Sequence, residues 1–357
     1  MTLEQLGYNS RIEELVIENS LREFEIGRVI SEHRERYIVR TEKGEFEAEI
    51  TGNLRFTAGS RSDFPAVGDW VALTIFGNEL AIIHKVIPRL SAISRQAVGQ
   101  FGNIQIIAAN IDYALLVQAC DRDFNINRLE RYLTICHSSK VTPVIVLTKT
   151  DLLPEASVKE IVIQINNRIK DVPVYTVSNE THDGYDNLKS ILVNSKTFCM
   201  LGSSGVGKST LLNNMSGRPI MKTGSISEST NKGKHVTSHR ELIVLESGGI
   251  LIDNPGMREV GVVDQGGGLE VTFDFINDLS LNCRFKDCTH ISESGCAVIE
   301  AVECGKIDRS AYENYLKIQK EREFFETSES EKRRKEKIFG KILKDYKVKD
   351  VKGKGYF

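Results

Sequence analysis

One nine-residue stretch restricts this chain more than anything else in it. Gly202-Ser203-Ser204-Gly205-Val206-Gly207-Lys208-Ser209-Thr210 fits the pattern G-x-x-x-x-G-K-[ST]. An apolar run, Phe198-Cys199-Met200-Leu201, precedes it, and a helix-forming run, Ser209 to Asn214, follows. The glycines let backbone N–H groups turn inward around a β-phosphate, and the helix N-terminus adds positive potential. Lys208 is expected to neutralise β- and γ-phosphate charge, with the Ser209 hydroxyl completing a Mg²⁺ shell. A fortuitous glycine-rich turn needs no such strand before it or helix after it. The loop therefore predicts a strand–loop–helix unit within an α/β sheet.

The chain has 357 residues, enough for two or three domains, and its 40% hydrophobic and 27% charged residues are those of a soluble globular protein. Residues 1–21 read as an amphipathic helical extension. Residues 22–92 carry five short alternating stretches, IGRVI, RYIVRT, EFEAEI, DWVALTI and LAIIHKVI, punctuated by turns. A small barrel of the OB type is the economical expectation, with a sandwich or an SH3-like barrel as alternatives. Residues 98–276 alternate strand and helix, which predicts a mostly parallel, doubly wound sheet. Residues 277–325 form a cysteine-rich, helical segment. In the tail, 326–357, the last 27 residues hold eleven Lys/Arg against four Asp/Glu. That composition fits either a basic arm for an anionic partner or a solvated helix end.

A second motif names the base. Thr148-Lys149-Thr150-Asp151 follows the apolar strand Val144-Ile145-Val146-Leu147 and reads as [NT]-K-x-D. A carboxylate at Asp151 can accept from the ring N–H and exocyclic amine of guanine together, a donor pair that adenine lacks. Lys149 is expected over the base plane. Thr148 stands where Asn is commoner, and some bracing of the loop is expected to be lost. Ser178, in Val177-Ser178-Asn179, is expected to add to the base contacts, although the stretch departs from the usual Ser-Ala.

Two further segments fit nucleotide switches. Asp253-Asn254-Pro255-Gly256 ends an apolar strand, so that Asp253 can hold Mg²⁺ through water and the Gly256 N–H can meet a γ-phosphate. Asn231 to Arg240 is polar and aperiodic, and Thr237, with Ser238 as the alternative, is expected to reach Mg²⁺.

Seven cysteines, an odd and uneven set, point to reduced thiols and a cytosolic compartment. No run of about 18 apolar residues marks a membrane span, the first residues do not read as a secretory signal, and a monomer is expected. Cys283, Cys288, His290 and Cys296 offer three thiolates and one imidazole within fourteen residues, a closed set expected to hold one structural Zn²⁺. Cys304 is the spare.

In ordinary small GTPases the phosphate loop precedes the guanine motif, whereas here Asp151 precedes Gly202. This order resembles that of the circularly permuted GTPases, and residues 22–325 resemble one branch of them, the bacterial ribosome small-subunit-dependent GTPase A family. Gly233-Lys234-His235-Val236-Thr237-Ser238 is similar to that family's G-R-H-T-T-T, with Val236 departing, and Asp253-Asn254-Pro255-Gly256 is similar to D-T-P-G. The cysteine spacing is similar too. The resemblance implies GTP hydrolysis to GDP stimulated by the small ribosomal subunit, contact with ribosomal RNA, and a role in late maturation of that subunit. Met257 follows Gly256 where Ras-like enzymes place Gln, and a thioether cannot orient water. Slow unaided hydrolysis is expected, with His235 and His239 as candidates for the missing polar group. Because the cysteine segment begins soon after the second switch, nucleotide state is expected to reach it mechanically. Two other classes share parts of this pattern. A P-loop ATPase or small-molecule kinase would have no use for Asp151, and a non-enzymatic RNA-binding factor would keep its nucleotide without turnover.

Overall fold

The computed structural model of the chain describes residues 1–33, 36–96, 104–121, 123–193, 195–217, 219, 240–253, 266–324, 331 and 334. At the N-terminus the amphipathic pattern forms α1 (Ser10–Glu18), started by Asn9, whose side chain accepts from the Arg11 and Ile12 N–H groups. Ile12 and Val16, with Leu6 just before them, pack against Trp70, Ala72 and Ile87 of the barrel region.

The five alternating stretches become β1 (Glu25–His33), β2 (Arg36–Thr41), β3 (Gly44–Ile50), β4 (Trp70–Phe76) and β5 (Leu80–Val86). They pair in the order β1-β2-β3-β5-β4, and β4 returns to β1, so the sheet closes. Only the β3–β5 pair is parallel. A short helix, α2 (Gly52–Thr57), capped by the Thr51 hydroxyl, links β3 to β4. Closure with this strand order is the OB arrangement and disposes of an open sandwich. Val29, Val39, Phe46, Val71, Leu73 and Ile83 fill the barrel.

A hairpin of β6 (Ala92–Gln96) and β7 (Ile104–Ala109) comes next, with Ala92 opposite Ala109. The break expected between 92 and 98 therefore falls inside a paired unit. Then follow β8 (Tyr113–Ala119), α3 (Ile126–Ser138), β9 (Thr142–Thr148), α4 (Glu155–Arg168), β10 (Val174–Thr176), α5 (Tyr185–Ile191), β11 (Thr197–Leu201), α6 (Lys208–Ser216), β12 (Arg240–Val244) and β13 (Ile250–Asp253). The sheet runs β10-β9-β8-β11-β13-β12, parallel except at β12. Both of its faces are covered, as the apolar runs require. On β8, Ala114 and Leu116 face one core with α3, while Leu115 and Val117 face another with α5 and α6.

The barrel and the central sheet are continuous. Ser31 and Glu32 of β1 pair with Glu241 and Arg240 of β12, making one eleven-stranded sheet among the described residues. Arg28 stitches the same junction from inside. Its guanidinium, fully buried, donates to the carbonyls of Leu6, Gly68 and Asn110 and to the Thr197 hydroxyl, and lies 5.4 Å from the centre of the Trp70 ring. Burial lowers its pKa to about 10, which leaves it charged at neutral pH.

Past the central sheet the chain forms α7 (Gly268–Thr272), α8 (Asp274–Ser280), α9 (Ala297–Glu303) and a helix over 309–324, here α10. Glu130 of α3 accepts from Arg168 of α4 and Asn314 of α10, and Arg131 of α3 pairs bidentately with Glu321. Through α3, the C-terminal helices are fastened to the central sheet.

Candidate nucleotide site and metal cluster

The loops at Thr148, Gly202 and Asp253 leave the C-terminal ends of the parallel strands β9, β11 and β13, where open α/β sheets hold ligands. Gly202 to Gly207 leave β11 and end on the first turn of α6. Gly205 and Gly207 have φ of 83° and 92°, left-handed values that suit glycine and curl the loop. Val206 turns inward and is buried beside Leu211 and Leu212, anchoring the loop to the core. The Lys208 ammonium donates to the carbonyls of Gly202 (2.7 Å) and Ser203 (2.6 Å), so it spans the mouth of the loop. Ser209 and Thr210 lie in the first turn of α6, and Ser204 stands at the exposed tip.

Thr148 to Asp151 leave β9, two strands away. The backbone turns sharply at Lys149, whose φ is 59°. The Thr148 hydroxyl donates to the Val206 carbonyl at 2.6 Å, binding this turn directly to the phosphate loop. Thr148 thus braces the turn against that loop through its hydroxyl, although Asn is commoner at this position. The Lys149 ammonium pairs with Asp121 at 2.8 Å, beyond the end of β8. Thr150 begins a single 3-10 turn that carries Asp151 to the rim. There the Ser178 hydroxyl donates to Asp151 Oδ1 at 2.6 Å and accepts from the Glu180 and Thr181 N–H groups. One carboxylate oxygen is therefore fixed from behind, leaving the group turned to the rim.

The loop after β8 is a part that the motifs did not reveal. The Arg128 guanidinium donates to Ser203 Oγ (3.0 Å) and pairs with Asp123, and Ser203 Oγ donates back to Asp123 (2.9 Å). Hydrogen bonding from Arg128 lowers the Asp123 pKa. Position alone could have signalled these residues, since a loop at the end of the neighbouring strand must border the site. Asp253 ends β13, which pairs with β11, and so lies beside the phosphate loop. Thr237, Ser238, His235, His239, Gly256 and Met257 lie outside the described residues, as does most of the basic tail.

Away from this site, Cys120, Cys136 and Cys199 are buried in the core. Burial pushes their thiols up, to about 11 for Cys120 and about 12 for Cys199, so they behave as small apolar residues. The other cysteines differ. The ligand atoms of Cys283, Cys288, His290 and Cys296 lie within 4.8 Å of one another. Separations of 3.8 Å between Cys283 and Cys296 sulfurs, and of 3.6 and 3.3 Å from His290 Nδ1 to each of them, match the edges of a tetrahedron. Bonds of about 2.3 Å to sulfur give edges of about 3.8 Å, so the four residues fit a metal ion. Glu293 folds the connecting turn by accepting from Thr289, Ile291 and Ser292 N–H groups, and the Tyr312 hydroxyl holds the His290 carbonyl at 2.6 Å. Cys304 is exposed and outside the set.

Residues 86–263 match the model of the RsgA GTPase family. The small ribosomal subunit biogenesis GTPase RsgA 1 of Listeria innocua is 44% identical over 322 residues, which are 90% of this chain and 89% of that protein. The crystal structure of YjeQ from Thermotoga maritima superposes with a TM-score of 0.63 at 28% identity, covering 84% of this chain and 98% of that one. YloQ, a circularly permuted GTPase, superposes with a TM-score of 0.60 at 25% identity, covering 84% and 95%. With a closed barrel, a permuted sheet whose [NT]-K-x-D motif precedes the phosphate loop in the chain yet touches it in space, and a cluster of three cysteines and one histidine able to hold a metal, this chain belongs to the RsgA GTPase family.

Proposed function

We propose that this GTPase hydrolyses GTP to GDP and phosphate with Mg²⁺, is stimulated by the small ribosomal subunit, and acts in late maturation of that subunit through contact with its RNA. The observation that carries the reading is the hydrogen bond from Thr148 to Val206. It joins the turn that carries Asp151 to the loop that Lys208 spans, which supports one ligand with guanine at one end and phosphates at the other. Thr148, Lys149, Thr150, Asp151 and Ser178 take the base. Gly202 to Thr210, with Gly256, take the phosphates. Lys208 leaves its two loop carbonyls for β- and γ-phosphate oxygens, a stronger, charge-assisted partner.

Ser209, Asp253 and Thr237 supply hard oxygens, the donor type Mg²⁺ selects. When bound, that ion neutralises charge on the β- and γ-phosphates. His235 and His239 remain the candidates to orient water, because Met257 cannot. Three thiolates and one imidazole select Zn²⁺ as the ion of the C-terminal cluster, with no open position for chemistry. The location is cytoplasmic, where its ribosomal partner is found, and the working form is a monomer.

Turnover of GTP should be measured alone, with isolated small subunits and with isolated large subunits. A rate that rises only with small subunits is the expected result. Equal rates in all three conditions, or displacement of bound GDP by ATP, would sink the proposal.

A further inference from the structure

Asn179 occupies a place in the proposed base-reading loop where alanine is usual, and its side chain reaches the phosphate loop. Its amide donates to the Gly207 carbonyl at 3.1 Å, and its own oxygen accepts from the Tyr185 hydroxyl at 2.7 Å. Asn214 of α6 donates both to the Asn179 carbonyl (3.0 Å) and to the Tyr185 oxygen (3.1 Å). Tyr185 is buried, and burial raises its pKa to about 12, so it remains a donor. The packing is close: a Cβ added at Gly207 would come within 2.6 Å of the Asn179 amide.

The consequence lies in the peptide plane. The Gly207 carbonyl and the Lys208 N–H belong to one planar, trans peptide, so holding the oxygen aims the N–H the opposite way. In a loop of this type those N–H groups take the β-phosphate. Leu211 already donates to the same carbonyl at 2.9 Å, as the helix requires, and Asn179 uses its other lone pair. Thr148 does the like one residue earlier, fixing the Val206 carbonyl and hence the Gly207 N–H.

Building on the site reading above, we infer that Asn179 is a positioning residue that ties the guanine-reading loop to the phosphate loop, so that a residue on the base side sets affinity for the β-phosphate. GMP is the discriminating probe, because it carries the base but no β-phosphate. In the full-length chain, displacement of a fluorescent GDP analogue gives affinities for GDP and GMP with the native sequence, with Asn179→Ala and with Tyr185→Phe. Asn179→Ala should weaken GDP about tenfold and GMP less than about twofold. Tyr185→Phe keeps the ring but releases the amide, and should weaken GDP about threefold with GMP again spared; it decides alone if the first variant does not fold. Equal losses for the two nucleotides would mean that Asn179 only shapes the base pocket. Unchanged GDP affinity in both variants would mean that the tie contributes nothing to binding. Either result overturns the inference while leaving the site reading intact, whereas failure of the native chain to bind GDP would overturn both.

Discussion

Ser178 and Asp151 are 27 residues apart in the chain and 2.6 Å apart in space. That hydroxyl fixes one oxygen of the carboxylate, which in the proposed role would meet two donors on a planar base. Two charge-assisted bonds are worth about 3 kcal/mol together at the low end of such contacts. Asp151→Asn should therefore weaken GDP at least about a hundredfold, and should improve binding of xanthosine diphosphate, whose 2-oxo group accepts where guanine's amine donates. Competition binding with both nucleotides tests this; guanine affinity that survives the change would remove Asp151 from the site. The residues of this site were legible in the sequence where a motif prescribes both type and spacing, as for Lys208 and Asp151. For Asp121, Asp123 and Arg128 only the place of their loop, at the end of β8, was legible; their contacts and the reach of Asn179 run between loops whose separation no local pattern encodes. Arg28 was hidden for a related reason: an arginine in an alternating strand reads as solvent-facing, and only four partners from distant segments make its burial tolerable.

Among the elements, α7 is set against α3 more tightly than any side chain would allow. A Cβ on Gly268 would come within 2.2 Å of Ser138 Oγ and 2.3 Å of the Thr134 carbonyl, so only glycine lets these two helices meet. His137 closes the same seam, its Nδ1 2.9 Å from the Thr272 hydroxyl. Gly268→Ala should cost about 1–3 kcal/mol, the usual penalty for overpacking. A denaturant titration reads this as a lower midpoint at unchanged slope; an unshifted midpoint would show that the seam yields freely. The five barrel strands and the alternating elements that follow were readable from period and turn residues, since their two faces meet different surroundings. The β6–β7 hairpin was not, because short apolar runs such as Ile104 to Ala109 lack a period that separates one element from another. Nor did the pattern of α1 say which surface would cover Ile12 and Val16.

At the scale of the whole molecule, the C-terminal part is held in two ways. The Arg131–Glu321 salt bridge and apolar contacts fasten α10 to α3, and Val298, Ala301, Ile307 and Ile318 extend the central core. The turn from Cys283 to Cys296 has little such packing: Phe285 and Ile291 are exposed. Its shape depends on the four ligands and on Glu293. Elemental analysis should find one zinc per chain. Removal of the metal, or Cys288→Ser, should open this turn to protease while GDP affinity changes less than about threefold. Zinc far below one per chain, with protection unaltered by chelator, would show that the turn needs no ion.

The pairing of β1 with β12 has a consequence for solubility. A strand at the margin of a sheet carries bare amide and carbonyl groups that can recruit a strand from another molecule. Here Ser31 and Glu32 cover that margin at Glu241 and Arg240, so the barrel acts as a built-in cover for the first residues of β12, the central sheet's outer strand on this side. Cutting the chain between the two would uncover sticky backbone on one side and strand the Thr197 hydroxyl and the Asn110 carbonyl without their guanidinium on the same side. The barrel thus shields one edge of the permuted half from strands of other molecules.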